Sequence, residues 1–279
     1  VKVNIFRYQD ASFFKFHNFP ANKFMQKVIS ITTFCPLWKE PSYKKEMISQ
    51  LLFGEQAYIL EEDRNFTHVR CVDDGYEGWC QAAQLAKVPT DLAAGFGSAI
   101  TAEVLNLMEV NGTKMQLPFG VSLGLFKQQQ LKLEGYQFSY QGKSTIPEHN
   151  QFSSERVKEI ASLFLNTPYL WGGRSLFGID CSGFTQMVFK QLGVMLPRDA
   201  YQQAELGETI SFVEECKLGD LAFFDNENGK ITHVGLMLNK HQIIHASGKV
   251  RIDVLDHHGV MNMEEKQYSH KLRIIKRIL

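Results

Sequence analysis

Cys181, His233 and His245 are the residues whose types and order could carry nucleophilic catalysis in this chain. Cys181 follows a turn-rich run, Trp171-Gly172-Gly173 to Phe177-Gly178-Ile179-Asp180, and stands where a helix is predicted to start. Unpaired N–H groups and the positive end of a helix dipole favour thiolate over thiol at such a position. A thiol nucleophile needs a base, and the base needs an orienting partner. His233, in Ile231-Thr232-His233-Val234-Gly235, and His245, in Ile243-Ile244-His245-Ala246, lie on consecutive predicted strands. The turn between them decides whether they share a face. A two-residue loop, Asn239-Lys240, sets His245 opposite Val234 and away from His233. A three-residue loop, Asn239-Lys240-His241, sets it opposite Gly235 and diagonal to His233, with Gly235 leaving room. The odd-length loop is expected. Cys35, Cys71, Cys80 and Cys216 read as inert thiols, and His17, His68, His149, His241, His257, His258 and His270 as ordinary core or surface residues.

The elements that must position these groups begin after the polar, breaker-rich stretch Gln141–Pro147, which marks a domain boundary. Ser153 or Ser154 can cap a helix carrying Val157, Ile160, Ala161, Phe164 and Leu165 on one face. The second helix runs inward with Phe184, Met187, Val188 and Leu192 until Gly193 ends it. Strands are predicted at Leu221–Phe224, Ile231–Leu238 and Gln242–Ala246. Helices first and an antiparallel sheet after them indicate an α+β domain over residues 147–279. Arg198 and Asp199, after Leu196-Pro197, read as a surface ion pair on a proline turn.

Upstream, residues 25–87 give short β-rich pieces, Leu51–Phe53, Ala57–Leu60, Phe66–Cys71 and Tyr76–Cys80, divided by Asp63-Arg64-Asn65 and Asp73-Asp74-Gly75. That spacing suggests a small β-barrel. Residues 88–146 repeat the style more weakly, with strands expected at Ala102–Met108, Lys114–Pro118, Ser122–Phe126 and Tyr136–Tyr140. Residues 1–24 hold six phenylalanines without steady spacing and read as an extension, with Met25 a candidate natural start.

Thirty basic and thirty acidic side chains leave no net field to attract nucleic acid or an anionic membrane surface, and basic and aromatic residues are not clustered. No apolar run approaches the length of a membrane span and no secretory leader is recognisable, so a cytoplasmic setting is expected, or an exported one if an upstream signal has been removed. The five cysteines lack the paired spacing of a zinc site, and no phosphate loop, dinucleotide fingerprint or HExxH pattern occurs; neither metal nor cofactor is expected.

Thr167-Pro168-Tyr169-Leu170-Trp171-Gly172-Gly173, Asp180-Cys181-Ser182-Gly183-Phe184, Leu196-Pro197-Arg198-Asp199, Gly219-Asp220-Leu221, His233-Val234-Gly235 and Ile244-His245-Ala246 together resemble the NlpC/P60 signature in its family order. Asp74-Gly75-Tyr76-Glu77-Gly78-Trp79 resembles bacterial SH3 domains. The resemblance implies a papain-like catalytic domain preceded by two SH3-like barrels, and a γ-D-glutamyl-L-diamino acid endopeptidase acting on murein peptides, L-Ala-γ-D-Glu-diamino acid. It implies Cys181 as nucleophile, His233 as base and His245 as third, orienting member. It also implies that Trp171, Asp180 and Ser182 bind substrate, with Asp180 facing a free α-amino group, and that the first barrel lends Tyr76 and one acid, Glu40 or Glu46. Related enzymes carry a serine where this chain has Ala200-Tyr201. A non-catalytic wall-binding protein and an acyltransferase on the same fold are the rival readings.

Overall fold

A computed structural model of the chain describes residues 26–90, 92, 98–147 and 153–279. The extension over residues 1–24 and the candidate start at Met25 lie outside the described residues. Two compact units result, one reaching to residue 147 and the other starting at residue 153. Among the described residues, no helix is long and apolar enough to cross a membrane.

In the first unit, β1 (Lys27–Ser30), β2 (Phe34–Trp38), β3 (Met47–Leu52), β4 (Gln56–Asp63), β5 (Phe66–Cys71), β6 (Glu77–Gln81) and β7 (Leu85–Lys87) form one sheet in the order β3-β2-β6-β5-β4-β1-β7. A bridge from Ser30 to Phe53 curls it back toward itself. The rolled interior is made by Val28, Cys35, Leu37, Leu51, Ala57, Val69, Cys71 and Cys80, mostly at alternate strand positions. Strands β3 and β4 run longer than their apolar stretches predict, because ladder pairing continues through polar residues such as Glu61 and Glu62.

β8 (Ile100–Thr101), β9 (Leu105–Val110), β10 (Thr113–Pro118), β11 (Gln130–Leu133), β12 (Tyr136–Tyr140) and β13 (Ser144–Thr145) follow, as a four-stranded sheet β10-β9-β12-β11 and a separate β13-β8 pair. This assembly packs on the first barrel, with Phe53 edge-on to Phe138 at 5.2 Å. The strand expected at Ser122–Phe126 is absent. Ser122 makes one bridge to Ile100, and the chain then turns, Phe126 N–H donating to the Leu123 carbonyl. The strand at Gln130–Leu133 takes its place in the sheet.

The second unit places α1 (Ser154–Leu163), the short pair β14 (Arg174–Ser175) and β15 (Gly178–Ile179), α2 (Cys181–Gln191) and α3 (Ala200–Gln203) ahead of a sheet. Ser153 caps α1, its Oγ accepting from Arg156 N–H. Val157, Ile160 and Ala161 are buried as the periodicity requires, whereas Leu165 lies beyond the helix end and is exposed. Helix α2 is buried throughout and packs against α1 and the sheet. Gly193, at φ 72°, ends it in the left-handed conformation that glycine adopts without a Cβ clash.

The sheet comprises β16 (Glu208–Ile210), β17 (Leu221–Asp225), β18 (Ile231–Asn239), β19 (Gln242–Ser247), β20 (Lys249–Leu255), β21 (Gly259–Asn262) and β22 (Gln267–Arg277), ordered β16-β22-β17-β18-β19-β20-β21. Long β22 pairs with β17 through its second half and with β21 through its first, closing the sheet on itself. Only three of these strands were expected; β20, β21 and β22 supply the closure. Ala222, Phe224, Met237, Ile243, Leu255, Val260 and Ile275 fill the interior.

Candidate active site

Cys181 is the first residue of α2, and Asp180 is its N-cap, accepting from Gly183 N–H at 2.7 Å. The loop before it crosses the first helical turn so closely that a Cβ on Gly183 would stand 2.3 Å from the Gly173 carbonyl oxygen. A Cβ on Gly173 would meet the Gly178 carbonyl oxygen at 2.4 Å. The glycines on either side of the cysteine are therefore steric necessities of a loop folded onto a helix start.

The Cys181 side chain is buried, with the backbone N–H groups of Val234 and Ser182 bonding its sulfur. Burial and the neighbouring Asp180 carboxylate push its thiol up to about 12, against the pull of those N–H groups and Arg198. The expectation that the helix start makes a standing thiolate is corrected: desolvation outweighs the helix end, and the resting group is a thiol that needs a base.

The base candidates come from β18 and β19. Gly235 pairs with His245, Leu236 with Ile244 and Met237 with Ile243, the register expected. Its origin differs from the expected three-residue loop. The turn is two residues, Lys240-His241, and the register slips by one between Met237 and Asn239 because Leu238 is an extra residue in β18. A bulge thus does what an odd loop was expected to do. A Cβ at Gly235 would lie 2.8 Å from His245 Cβ, so glycine is what lets the diagonal imidazoles meet. His233 Nε2 and His245 Nδ1 are 2.8 Å apart.

Three functional neighbours escaped the sequence reading. Asp253 on β20 accepts from His245 Nε2 at 3.0 Å and is 2% exposed. His270 on β22 stacks on His233, ring centroids 4.0 Å apart and planes 23° apart. Arg198 is 2% exposed and not at the surface. It does not form the surface pair with Asp199 expected of it; its guanidinium forks onto Asp180, Nη1 to Oδ1 at 3.1 Å and Nη2 to Oδ2 at 2.5 Å, and reaches Ser182 Oγ at 2.9 Å. A proline turn and a charge suggest surface, and no local pattern signals that this arginine must balance the buried aspartate 18 positions earlier.

Burial, together with His245 and His270, pulls the His233 imidazole well below its ordinary range, and burial draws His270 down to about 4. Both rings are neutral near pH 7. Ring nitrogens of His233, His245 and His270 lie within 4.8 Å of one another. The near-parallel stack of His233 and His270 sends their in-plane lone pairs side by side rather than toward one point, which does not suit a shared metal ion.

The structure brings Cys181, Asp180, Ser182 and Arg198 together at the helix start, and His233, His245, Asp253 and His270 together in the sheet. The Val234 N–H on Cys181 joins the two groups. Trp171 is 57% exposed at the mouth of the glycine loop. Asp180 Oδ2 also accepts from Gly172 N–H at 2.8 Å, so its charge is already satisfied inside the protein. In the barrel unit, half-buried Tyr76 follows Gly75, Glu40 pairs with Lys45 at 2.9 Å and Glu46 with Lys39 at 3.4 Å. All five cysteines are free and buried.

A thiol at the head of a buried helix, facing a histidine pair on an antiparallel sheet, defines a cysteine peptidase. The NlpC/P60 family matches residues 166–272, and the bacterial dipeptidyl-peptidase Sh3 domain matches residues 37–85. The γ-D-glutamyl-L-lysine dipeptidyl-peptidase of Bacillus subtilis is 32% identical over 246 residues, spanning 82% of this chain and 80% of its own length. Dipeptidyl-peptidase 6 of Lysinibacillus sphaericus is 28% identical over 272 residues, covering 82% of this chain and 91% of that one. The crystal structure of an NlpC/P60 family protein from Bacillus cereus shares the fold, with a TM-score of 0.75 at 19% identity over 91% of this chain and 99% of that one. This chain belongs to the NlpC/P60 family of cysteine peptidases and carries a bacterial SH3 domain.

Proposed function

We propose that the chain hydrolyses the γ-D-glutamyl-L-diamino acid bond of murein peptides bearing a free N-terminal L-alanine, in recycling of cell-wall fragments within the cytoplasm. The observation that carries the chemistry is the buried thiol beside the neutral, hydrogen-bonded histidine pair. The observation that carries the substrate is the similarity over most of both chains to a relative named a γ-D-glutamyl-L-lysine dipeptidyl-peptidase.

Cys181 attacks the γ-carbonyl of D-glutamate as its proton passes to His233. The carbon–sulfur bond forms and the carbonyl electron pair moves to oxygen. His233 then returns the proton to the amine of the diamino acid, which leaves as the carbon–nitrogen bond breaks. Water, deprotonated by the same ring, cleaves the thioester and frees the dipeptide. Ser182 and exposed Trp171 contact the peptide in this reading, and the residues upstream of Cys181 form a second SH3-like domain over 88–146 besides the first.

A dipeptidyl-peptidase leaves room for one residue ahead of D-glutamate, whose ammonium then needs an acid. Glu40 and Glu46 are the candidate acids and Tyr76 a candidate hydroxyl partner, while Asp180, the fourth residue tested, already has its charge paired with Arg198. The test compares L-Ala-γ-D-Glu-L-Lys with its N-acetylated counterpart, in the native chain and in Asp180→Asn, Tyr76→Ala, Glu40→Gln and Glu46→Gln. The blocked peptide is expected to be cut at least ~10²-fold more slowly, as loss of about 3 kcal/mol of charged hydrogen bonding implies. Equal rates on both peptides would contradict the amine requirement.

A further inference from the structure

Strand β20 breaks its own hydrophobic alternation. Lys249-Val250-Arg251-Ile252-Asp253-Val254-Leu255 reads as Val250, Ile252 and Val254 inward, with Arg251 and Asp253 in water. In the fold Ile252 is 40% exposed and Asp253 is 2% exposed. A carboxylate buried in place of an aliphatic side chain is costly unless it is paired and hydrogen-bonded. Asp253 is held from several sides: His245 Nε2 on Oδ2 at 3.0 Å, and Met263 N–H and Arg251 Nη2 on Oδ1 at 3.0 Å and 3.1 Å. Arg251 is itself tied to Glu264 at 3.0 Å. Burial alone would raise the carboxyl, but these bonds draw it down to about 2, so it is ionised throughout the neutral range.

We propose that Asp253 is a positioning residue for the catalytic histidines, setting through His245 the tautomer that leaves His233 Nδ1 unprotonated and able to take the Cys181 proton. The inference rests on the assignment of Cys181 and His233 made above. An ionised carboxylate only accepts, so His245 Nε2 carries the hydrogen that bonds it. With neutrality of the His245 ring taken as part of the proposal, its other nitrogen, Nδ1, holds a lone pair and accepts. His233 Nε2, 2.8 Å away, must be the donor. His233 therefore has its hydrogen on Nε2, and Nδ1 is the base. When the thiol proton reaches Nδ1, the ring becomes a cation. Its Nε2–H still donates to His245, and the Asp253 charge lies at the far end of the same hydrogen-bonded line. The proton goes on to the leaving amine; Asp253 remains ionised throughout. Other charged or titratable groups facing this line are Arg251 on β20, Glu264 behind it, His270 stacked on His233 from β22, and Cys181 on α2.

The experiment uses the full chain, selectively labelled with nitrogen-15 histidine, alongside Asp253→Asn, Asp253→Glu and Cys181→Ala. In the unsubstituted protein the imidazole nitrogen shifts are expected to show hydrogen on Nε2 of both His233 and His245. A resting His233 with its hydrogen on Nδ1 overturns the proposal whether or not any variant folds. In Asp253→Asn the carboxamide can donate as well as accept, the two tautomers mix, and kcat should fall on the order of 10²-fold with KM unchanged. The acid limb of the kcat/KM profile, where His233 gains the proton that disables it as a base, should move down by about one pH unit, because the imidazolium loses its balancing charge. Asp253→Glu should recover about tenfold of the lost kcat by restoring an acceptor-only partner. A folded Asp253→Asn with native kcat, native acid limb and unmixed tautomers would refute the role of Asp253. Cys181→Ala separates the two levels: retained turnover there would refute the nucleophile assignment itself, whereas loss of turnover there with an indifferent Asp253→Asn refutes only the inference drawn from Asp253.

Discussion

Two buried aspartates serve the two ends of this site, and their partners make them different devices. At the helix start, Asp180 is clasped by Arg198, whose guanidinium never gives up its proton, and by backbone N–H groups of the loop and helix. In the sheet, Asp253 meets His245, an imidazole that is itself bonded to His233. Both carboxylates are withdrawn from water. The Asp180 pair is electrostatically closed, so it holds geometry around Cys181, while the Asp253 line stays open to proton movement. What a buried charge contributes is decided by whether its partner titrates.

Joining the two ends through one reaction requires both the thiol and the ring. Cys181→Ala and His233→Ala should each lower turnover by on the order of 10⁴–10⁶ while the melting temperature stays within a few degrees of the native value. Near-native turnover by either folded variant would break the link between helix start and sheet.

The next largest effect belongs to the closed pair. Arg198→Met removes the fork that balances Asp180 and leaves a buried carboxylate uncompensated, a loss of about 3–5 kcal/mol in denaturant unfolding of the catalytic unit. The acid limb of kcat/KM, set by the histidines, should remain where it is. If that limb moves while stability does not, Asp180 is the proton-linked carboxylate and the contrast is reversed.

The open line should announce itself in acid. His233 and His270 have imidazoles held below the ordinary value of 6.5, so the folded state prefers them neutral; that stability is present above pH 6.5 and is lost as pH falls toward about 4, where His270 titrates. Asp253, held at about 2 against an ordinary 3.8, contributes stability present above pH 3.8 and lost as pH falls through 2. A thermal melting series should therefore decline between pH 6.5 and 4 by roughly 5–10 °C and decline again below it. A flat profile from pH 7 to 4 would show that the buried rings do not resist protonation.

The smallest effect is expected at Trp171, exposed and outside both clusters. Trp171→Ala should leave stability within about 0.5 kcal/mol and change KM several-fold with little change in kcat. A collapse of kcat would mean that this ring positions the reacting atoms.

How much of this was legible in the sequence depends on range. Cys181 at a helix head, the caps at Ser153 and Gly193, and the strands around His233 and His245 follow from local periodicity and turn chemistry, and all are found. The shared face of the histidines was also legible, but its cause was not: a bulge at Leu238 leaves no mark that distinguishes it from a longer loop. Arg198 and Asp253 were illegible for one reason. A charged residue is read as solvent-facing by default, and only the fold shows that another buried charge or a ring nitrogen awaits it. Asp253 lies on β20, a strand that the sequence analysis did not predict. The strand expected at Ser122–Phe126 failed in the opposite way, apolar residues there being buried by a turn rather than by a ladder.

The identity of the bond that is cut tests the account most directly. Purified protein incubated with L-Ala-γ-D-Glu-L-Lys, its products identified by mass spectrometry, should yield L-Ala-γ-D-Glu and free lysine and nothing else. Cleavage between alanine and glutamate, or an intact tripeptide after prolonged incubation, would contradict it.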